Sequence, residues 1–368
     1  MRKPRVHLAL PSFWPQDAVG NDVLGMKAWL QEAGYEATIF ATWMDPRYEG
    51  CAQVLNPNAS IWRCPDDILV YHHAIYWEAG ERLLEKAKTK TAIRYHNVTP
   101  PHFFKGYAQH YYDACTSGLA ATERLARRGG VHFWGASQFN LEDLIRYGAP
   151  PDRCRALPPM HRIEEELASA PFDSVVTGDY RQARPSILFV GGIRPNKGHR
   201  KAIEAFAGYR RISDAPSRLV FVGRFDSSLN KYLEEIRAYA EECRVAADVR
   251  FAFSATPSQL RAYYLTSSVF LCTSEHEGFC VPLVEAMFFR TPIVAWRTTA
   301  IGETCGPAGL LFREFNAEAL AGAIDECVEN PAIARQLADR GRARYESRFH
   351  RCAIGARLLD LVRELEQL

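Results

Sequence analysis

Short apolar runs alternate with helix-periodic stretches twice along these 368 residues. That repeated alternation restricts the chain to parallel sheets with helices packed on their faces. In the first half the runs Val6–Leu10, Ala37–Phe40, Asp67–Tyr71, Ala92–His96 and His132–Ala136 read as strands. Asn21–Ala33 carries Val23, Leu24, Met26 and Leu30 at helical spacing and is stopped by Gly34. Tyr107–Arg128 and Leu141–Tyr147 read as further helices. The polar, aperiodic segment Met160–Arg184 predicts an interdomain linker. The pattern then restarts. Strands are predicted at Ile187–Val190, Leu219–Val222, Val249–Phe253, Val269–Thr273 and Ile293–Ala295. Helices are predicted at Lys201–Ile212, Leu229–Cys243, Gln259–Leu265, Leu283–Arg290 and Ala317–Glu329. Ala332–Leu368 reads as mostly helical. The expected fold is α/β: two Rossmann-like βαβ domains, residues 1–165 and 183–347, facing each other across a cleft, with the helix at about 348–368 packing back on the first. In such sheets ligands bind at the carboxyl ends of the strands.

Length supports this division, because a single core rarely grows past ~250–300 residues. A net charge of +2 is too small to make nucleic acid the expected partner. The ten cysteines are scattered, with no C-x-x-C pair, so neither a zinc site nor a disulfide framework is expected. They fit a reducing, cytoplasmic setting. The opening MRKPRVHLALPSFW has a short apolar run broken by Pro11 and Pro15, and reads as a first strand rather than a signal peptide. No run approaches the ~20 apolar residues of a membrane helix.

Four segments carry chemistry. In Ser274–Glu285, SEHEGFCVPLVE, Glu277 and Glu285 stand eight residues apart between a strand and a helix. Gly278 allows close backbone approach, and Pro282 suits a helix start. Gly278, Phe279, Cys280 and Val281 line the helix N-terminus, whose amides and dipole suit a diphosphate. Glu285, expected in the first turn, is placed to bind ribose; Glu277 lies nearer a sugar. The plainer reading is a solvated capping pair. The second segment, Gly191–Gly198, GGIRPNKG, puts Lys197 and Arg194 in a Gly-bounded turn after a strand. Such cations meet diphosphate as a point charge or a fork, or are ordinary surface charges. In the third, RYHNVTPPHFF, His96 ends a strand beside Asn97; its alternative is a buried histidine bonded to backbone. One of His72 and His73 faces the same way, since alternation turns the other aside. His102 is less well placed. In the fourth, SFWPQDAVGN, Asn21 reads as a helix N-cap after Gly20, and Asp17 could accept a hydroxyl. This loop lacks G-x-G-x-x-G, which disfavours nicotinamide or flavin.

The Glu277-x7-Glu285 string with EGF and PLVEAM resembles the E-x7-E motif of family 4 retaining glycosyltransferases of GT-B fold. TPIVAWRTTAIGETCGPAGLLF and ILFVGGIRPNKGHRKAIEAF are similar to the same family, and the resemblance covers most of residues 186–347. It implies that Glu277 faces a donor sugar, that Glu285 binds the nucleotide ribose, and that Lys197 neutralises a leaving diphosphate. It also implies that a histidine at an N-terminal strand end, here His96, bonds the donor sugar. The family has a second cation five positions before its lysine. Gly192 occupies that position here, which leaves Arg194 or Arg224 to replace it. The family's Gly-rich first loop is reduced to Gly20.

The reaction so implied moves a hexose from a GDP- or UDP-sugar to a glycan or lipid-linked acceptor hydroxyl, with retention. The donor is a co-substrate; no cofactor and no metal is expected, and no Asp-x-Asp occurs. With no clear nucleophile opposite the leaving group, front-face attack assisted by the leaving phosphate is expected. The run Glu85–Arg94 with Arg124, Arg127 and Arg128 offers a peripheral contact with the inner face of an anionic membrane, although a solvated surface explains it as well. The competing functions are a sugar-nucleotide epimerase or phosphorylase and a non-catalytic GT-B binding subunit.

Overall fold

The computed structural model describes residues 3–14, 17–181 and 184–368. Pro15 and Gln16 of the first loop, and Gln182 and Ala183 of the expected linker, lie outside them. The chain forms two units. Unit 1 gathers the residues through Pro101, Asp113–His161 and Phe349–Leu368; unit 2 gathers His102–Tyr112 and Arg162–Arg348.

Unit 1 is built on β1 (Arg5–Phe13), α1 (Ala18–Glu32), β2 (Glu36–Met44), β3 (Ala52–Val54), β4 (Ile68–His73), α2 (Glu78–Lys86), β5 (Lys90–Tyr95), α3 (Gln109–Ala126), β6 (Val131–Gly135), α4 (Gln138–Arg146) and β7 (Cys154–Ala156). Its strands pair in parallel in the order β3-β2-β1-β4-β5-β6-β7. Strands sandwiched between helix layers must be apolar on both faces, and Val6, Leu8, Ala9, Leu10, Ile68, Leu69 and Val70 are all fully buried. Sequence order reverses between β1 and β4, so the loops after these two strands flank the switch point at which open sheets bind ligands.

Unit 2 repeats the plan. Its elements are α5 (Ser174–Arg181), β8 (Ser186–Val190), α6 (His199–Ile212), β9 (Arg218–Gly223), α7 (Asn230–Glu242), β10 (Val249–Phe253), α8 (Pro257–Thr266), β11 (Val269–Cys272), α9 (Val281–Phe288), β12 (Ile293–Trp296), α10 (Ile301–Cys305), β13 (Gly309–Phe312), α11 (Ala317–Glu329) and α12 (Pro331–Arg344). The parallel order is β10-β9-β8-β11-β12-β13, with its switch point between β8 and β11.

The last helix, α13 (Arg351–Glu366), packs on α1 and sends Ile354, Leu358, Leu361, Val362 and Leu365 into the unit 1 core. Each such side chain contributes about 1.5–3 kcal/mol of burial free energy. The segment expected to be an interdomain linker holds a π-helical turn at Ile163–Leu167 and α5, which packs on α8. Helices α2 and α10 and strands β3, β7 and β13 are further elements that the sequence pattern did not predict. Among the described residues no helix is long and apolar enough to cross a membrane.

Candidate functional site

In unit 2 the loops after β8 and β11 are stitched together by hydrogen bonds. Asn196, only 4% exposed, accepts at its carbonyl from the amides of Glu275 (2.9 Å) and His276 (3.3 Å) and donates from Nδ2 to the His276 carbonyl at 3.1 Å. Thr273 Oγ1 donates to the Gly198 carbonyl at 2.9 Å. Gly198 has φ +70°, and a Cβ there would stand 2.1 Å from the Thr273 carbonyl oxygen, so only glycine permits this approach. Gly223, at the end of β9, meets the same limit: a Cβ would lie 1.9 Å from the Gly191 carbonyl oxygen. The turn that carries Lys197 is therefore held in one place by backbone contacts that admit no side chain.

That registration sets Lys197 Nζ 2.7 Å from Glu277 Oε1, with side chains 20% and 10% exposed. Burial by itself would lower the Lys197 pKa. The Glu277 carboxylate outweighs it and holds the ammonium above its ordinary value. The Glu277 amide donates to Thr299 Oγ1 at 3.0 Å, Thr298 Oγ1 to the Ser274 carbonyl at 2.6 Å, and Thr304 Oγ1 to the Phe279 carbonyl at 2.6 Å. Three threonines after β12 thus anchor the whole Ser274–Phe279 loop.

Cys280 caps α9 in the left-handed region at φ 74°, a costly conformation for a residue with a side chain. Its thiol is buried 4.0 Å from Cys272 Sγ, and Phe279 is buried as well. Of the proposed ligands Gly278, Phe279, Cys280 and Val281, the phenylalanine and cysteine side chains thus pack inward, and the chemistry they can offer is that of the α9 N-terminal backbone. Because α9 starts at Val281, Glu285 lies in its second turn rather than the expected first. Glu285 Oε2 accepts from Tyr264 Oη at 2.7 Å, and burial pushes the Glu285 carboxyl up to about 7 against the pull of that bond.

Arg194 and Arg224 both lie beside Tyr111. The Arg194 guanidinium sits over the tyrosine ring at 5.3 Å, both cations pull the phenol pKa down against burial, and Tyr111 Oη donates to Asp226 Oδ2 at 2.6 Å. A side chain on Gly192 would start 3.7 Å from Arg194 Nε and 3.6 Å from the Arg224 carbonyl oxygen. Arg194 thus occupies the space that a longer residue 192 would enter.

In unit 1, Asp17 rather than Asn21 caps α1. Asp17 Oδ2 accepts from the Gly20 amide at 3.1 Å, and Gly20 and Asn21 lie within the first helical turn. Asparagine and aspartate cap about equally well, so residue type alone did not separate the two positions. His96 follows β5, with its Nε2 2.9 Å from His72 Nδ1 and 3.6 Å from Asp22 Oδ2. The side chains of Asp22 and Arg94 are fully buried, with Nε 2.9 Å from Oδ2. Arg94 Nη1 donates to the Leu157 carbonyl at 2.6 Å, and Asp22 Oδ1 accepts from the Met160 amide at 2.7 Å. His73 turns the other way, to Thr122 Oγ1 at 2.8 Å, as strand alternation requires. Asp22, His72 and His96 bring one ligand atom each within 4.8 Å of one another. The Arg94 guanidinium already pairs with that carboxylate. His102 lies in unit 2. The expected basic patch is largely self-engaged: Arg124 pairs with Glu81 at 2.6 Å, Arg127 with Glu123 at 2.6 Å, Lys90 Nζ donates to the Glu366 carbonyl at 2.7 Å, and Arg94 is buried.

Sequence reasoning missed Asn196, Tyr264, Thr299, Asp22 and the link from His72 to His96. Asn196 and Thr299 fall inside quoted strings, but nothing in their spacing gives them a role. Tyr264 reads as a core aromatic in helix α8.

Residues 179–344 match the family model described as glycosyl transferases group 1. A D-inositol 3-phosphate glycosyltransferase of Acidothermus cellulolyticus is 33% identical over 250 residues, 63% of this chain and 51% of that protein. A GDP-mannose-dependent alpha-(1-6)-phosphatidylinositol monomannoside mannosyltransferase of Mycobacterium tuberculosis is 25% identical over 189 residues, 49% of this chain and 48% of that protein. The chain spans about half the length of the first of these curated relatives. Among solved structures, a sucrose-phosphate synthase of Thermosynechococcus elongatus superposes with a TM-score of 0.77 at 18% identity, covering 99% of each chain. HepE of Anabaena, solved with UDP and glucose, superposes with a TM-score of 0.76 at 17% identity, covering 98% of this chain and 100% of that one. These structures share its fold, GT-B.

Proposed function

We propose, for a chain whose residues 179–344 belong to the glycosyl transferases group 1 and whose fold is GT-B, that it transfers a hexose from a nucleoside diphosphate-sugar to an acceptor hydroxyl with retention. The observation that carries this reading is the Lys197–Glu277 pair at 2.7 Å, fixed beside the α9 N-terminus with Glu285 one turn further on. Lys197 supplies positive charge for the departing diphosphate, and the α9 amides supply oriented donors in a preorganised setting. Arg194 takes the place of the cation absent at Gly192. Glu277 then shares Lys197 with the donor and accepts from sugar hydroxyls. Glu285 accepts from the ribose, and His96 bonds the sugar. Leaving-phosphate-assisted attack on the same face needs no enzyme nucleophile, so the two glutamates orient rather than attack.

The name of the M. tuberculosis relative supports GDP-mannose, and the Anabaena structure supports UDP; the base stays open between guanine and uracil. The acceptor is a glycan or a lipid-linked or polyol hydroxyl, and no metal enters the proposed chemistry.

A thermal-shift panel of UDP-, GDP- and dTDP-sugars finds the donor, since a ligand favouring the native state raises Tm. NDP release with and without candidate acceptors then tests transfer. The proposal expects one donor to stabilise the protein and NDP release to require an acceptor. Interconversion of the donor sugar without acceptor would instead identify an epimerase. Binding without any turnover would identify a non-catalytic subunit.

A further inference from the structure

The contact between His72 and His96 contains one shared proton, and the surroundings decide which ring owns it. Burial and the nearby Arg94 charge hold both imidazoles neutral near pH 7. Each neutral ring carries one N–H, and the 2.9 Å bond between His72 Nδ1 and His96 Nε2 needs one donor and one acceptor. Were His96 Nε2 the donor, the His72 proton would sit on Nε2, which is buried without a partner. An orphaned buried N–H is the rarer and costlier arrangement. Among the described residues, the group placed to draw a proton onto His96 Nε2 is Asp22 Oδ2. At 3.6 Å it lies outside hydrogen-bond range, and the carboxylate already accepts from Arg94 and the Met160 amide.

We propose that His72 is a positioning residue: its Nδ1–H donates to His96 Nε2, which fixes the His96 proton on Nδ1 and makes that nitrogen a hydrogen-bond donor toward acceptor oxygens of a bound sugar. The groups facing this pair are Asp22 from α1, Arg94 from β5 and His73 from β4, with His161 acting on Asp22. The tautomer is independent of any ligand. Its kinetic consequence rests on the reading of His96 as a donor-sugar contact, and the experiment separates the two.

The full-length protein labelled with 15N-histidine reads the tautomer directly, with His96→Gln assigning the His96 resonances. The expected result between pH 6 and 8 is a protonated Nδ1 and a bare Nε2 on His96. His72→Asn places an amide donor where Nδ1 stood and preserves this pattern, whereas His72→Leu removes the donor and lets the proton move to Nε2 or the ring become charged. An Nε2–H signal on His96 in the wild type overturns the proposal, as does an unchanged tautomer in His72→Leu. In NDP release, loss of the donated bond in His72→Leu lowers kcat/KM roughly tenfold, and His72→Asn recovers to within about threefold of wild type. Should the tautomers behave as expected while His96→Gln leaves turnover unchanged, the assignment of His96 to the sugar fails and the proton placement stands.

Discussion

Replacing Glu285 with glutamine keeps an acceptor for Tyr264 and removes only the charge. A carboxyl raised from its ordinary value of 4.5 to about 7 favours its neutral form by about 3 kcal/mol, at about 1.4 kcal/mol per pH unit. The partial exposure of Glu285 trims that to about 2–3 kcal/mol. The folded state binds this proton more tightly than the unfolded chain. The wild type therefore loses the corresponding stability as pH climbs from about 4.5 through 7, and keeps it in full below 4.5. Glu285→Gln does not titrate here. Urea unfolding should find the two proteins equal near pH 4 and the variant more stable by about 2–3 kcal/mol at pH 8. A difference between the proteins that stays constant with pH would refute the reasoning, because it would mean that the Glu285 carboxyl is ionised in the fold at an ordinary pKa.

Lys197→Met strands the Glu277 carboxylate, 10% exposed, without its counter-charge. Urea unfolding should show a loss of about 2–4 kcal/mol at pH 8, part of it recovered in Lys197→Met/Glu277→Gln. Gly198→Ala forces a Cβ to within 2.1 Å of the Thr273 oxygen at positive φ and should cost about 3 kcal/mol or more with loss of nucleotide binding, read by Tm and titration. Gly192→Arg meets no backbone closer than 3.6 Å. In an Arg194→Ala protein, where the space beside it is vacant, it should change stability by less than about 0.5 kcal/mol and restore NDP release, whereas Arg224→Ala should need no such rescue.

The parts legible in the sequence are those whose signal is local. Strand β10 and helix α11 fall at Val249–Phe253 and Ala317–Glu329 as read: the first is an uninterrupted apolar run apart from Arg250, and the second starts after Asn316, whose side chain caps it. The α1 start lies three residues earlier than read because Asp17, not Asn21, is the cap, and the two residue types cap about equally well. Strands β3, β7 and β13 escaped notice because three or four residues hold too little periodicity; their pairing partners make them strands. Helix α2 buries only Gly80, Leu83 and Leu84 among charged neighbours, so its apolar stripe is thin. In the site, Lys197, Glu277 and Glu285 were visible through their motifs. Their partners were not: Tyr264 reaches Glu285 across 21 residues, Thr299 reaches Glu277 across 22, and Asp22 reaches Arg94 across 72. Contacts at such separations leave no trace in spacing along one chain.

Central to the proposed function is a nucleoside diphosphate held in unit 2 with its ribose on Glu285. Calorimetric titration of UDP and GDP at pH 6.5, in buffers of different ionisation enthalpy, measures this directly. Ribose hydroxyls donating to Glu285 would stabilise the carboxylate, so one of the two nucleotides should bind the wild type with release of a fraction of a proton. Binding to Glu285→Gln should be weaker and release fewer protons, leaving only those shed by the nucleotide's own terminal phosphate, whose second ionisation lies at about pH 6. Affinity and proton count unchanged in Glu285→Gln, or no binding of either nucleotide to the wild type, would contradict it.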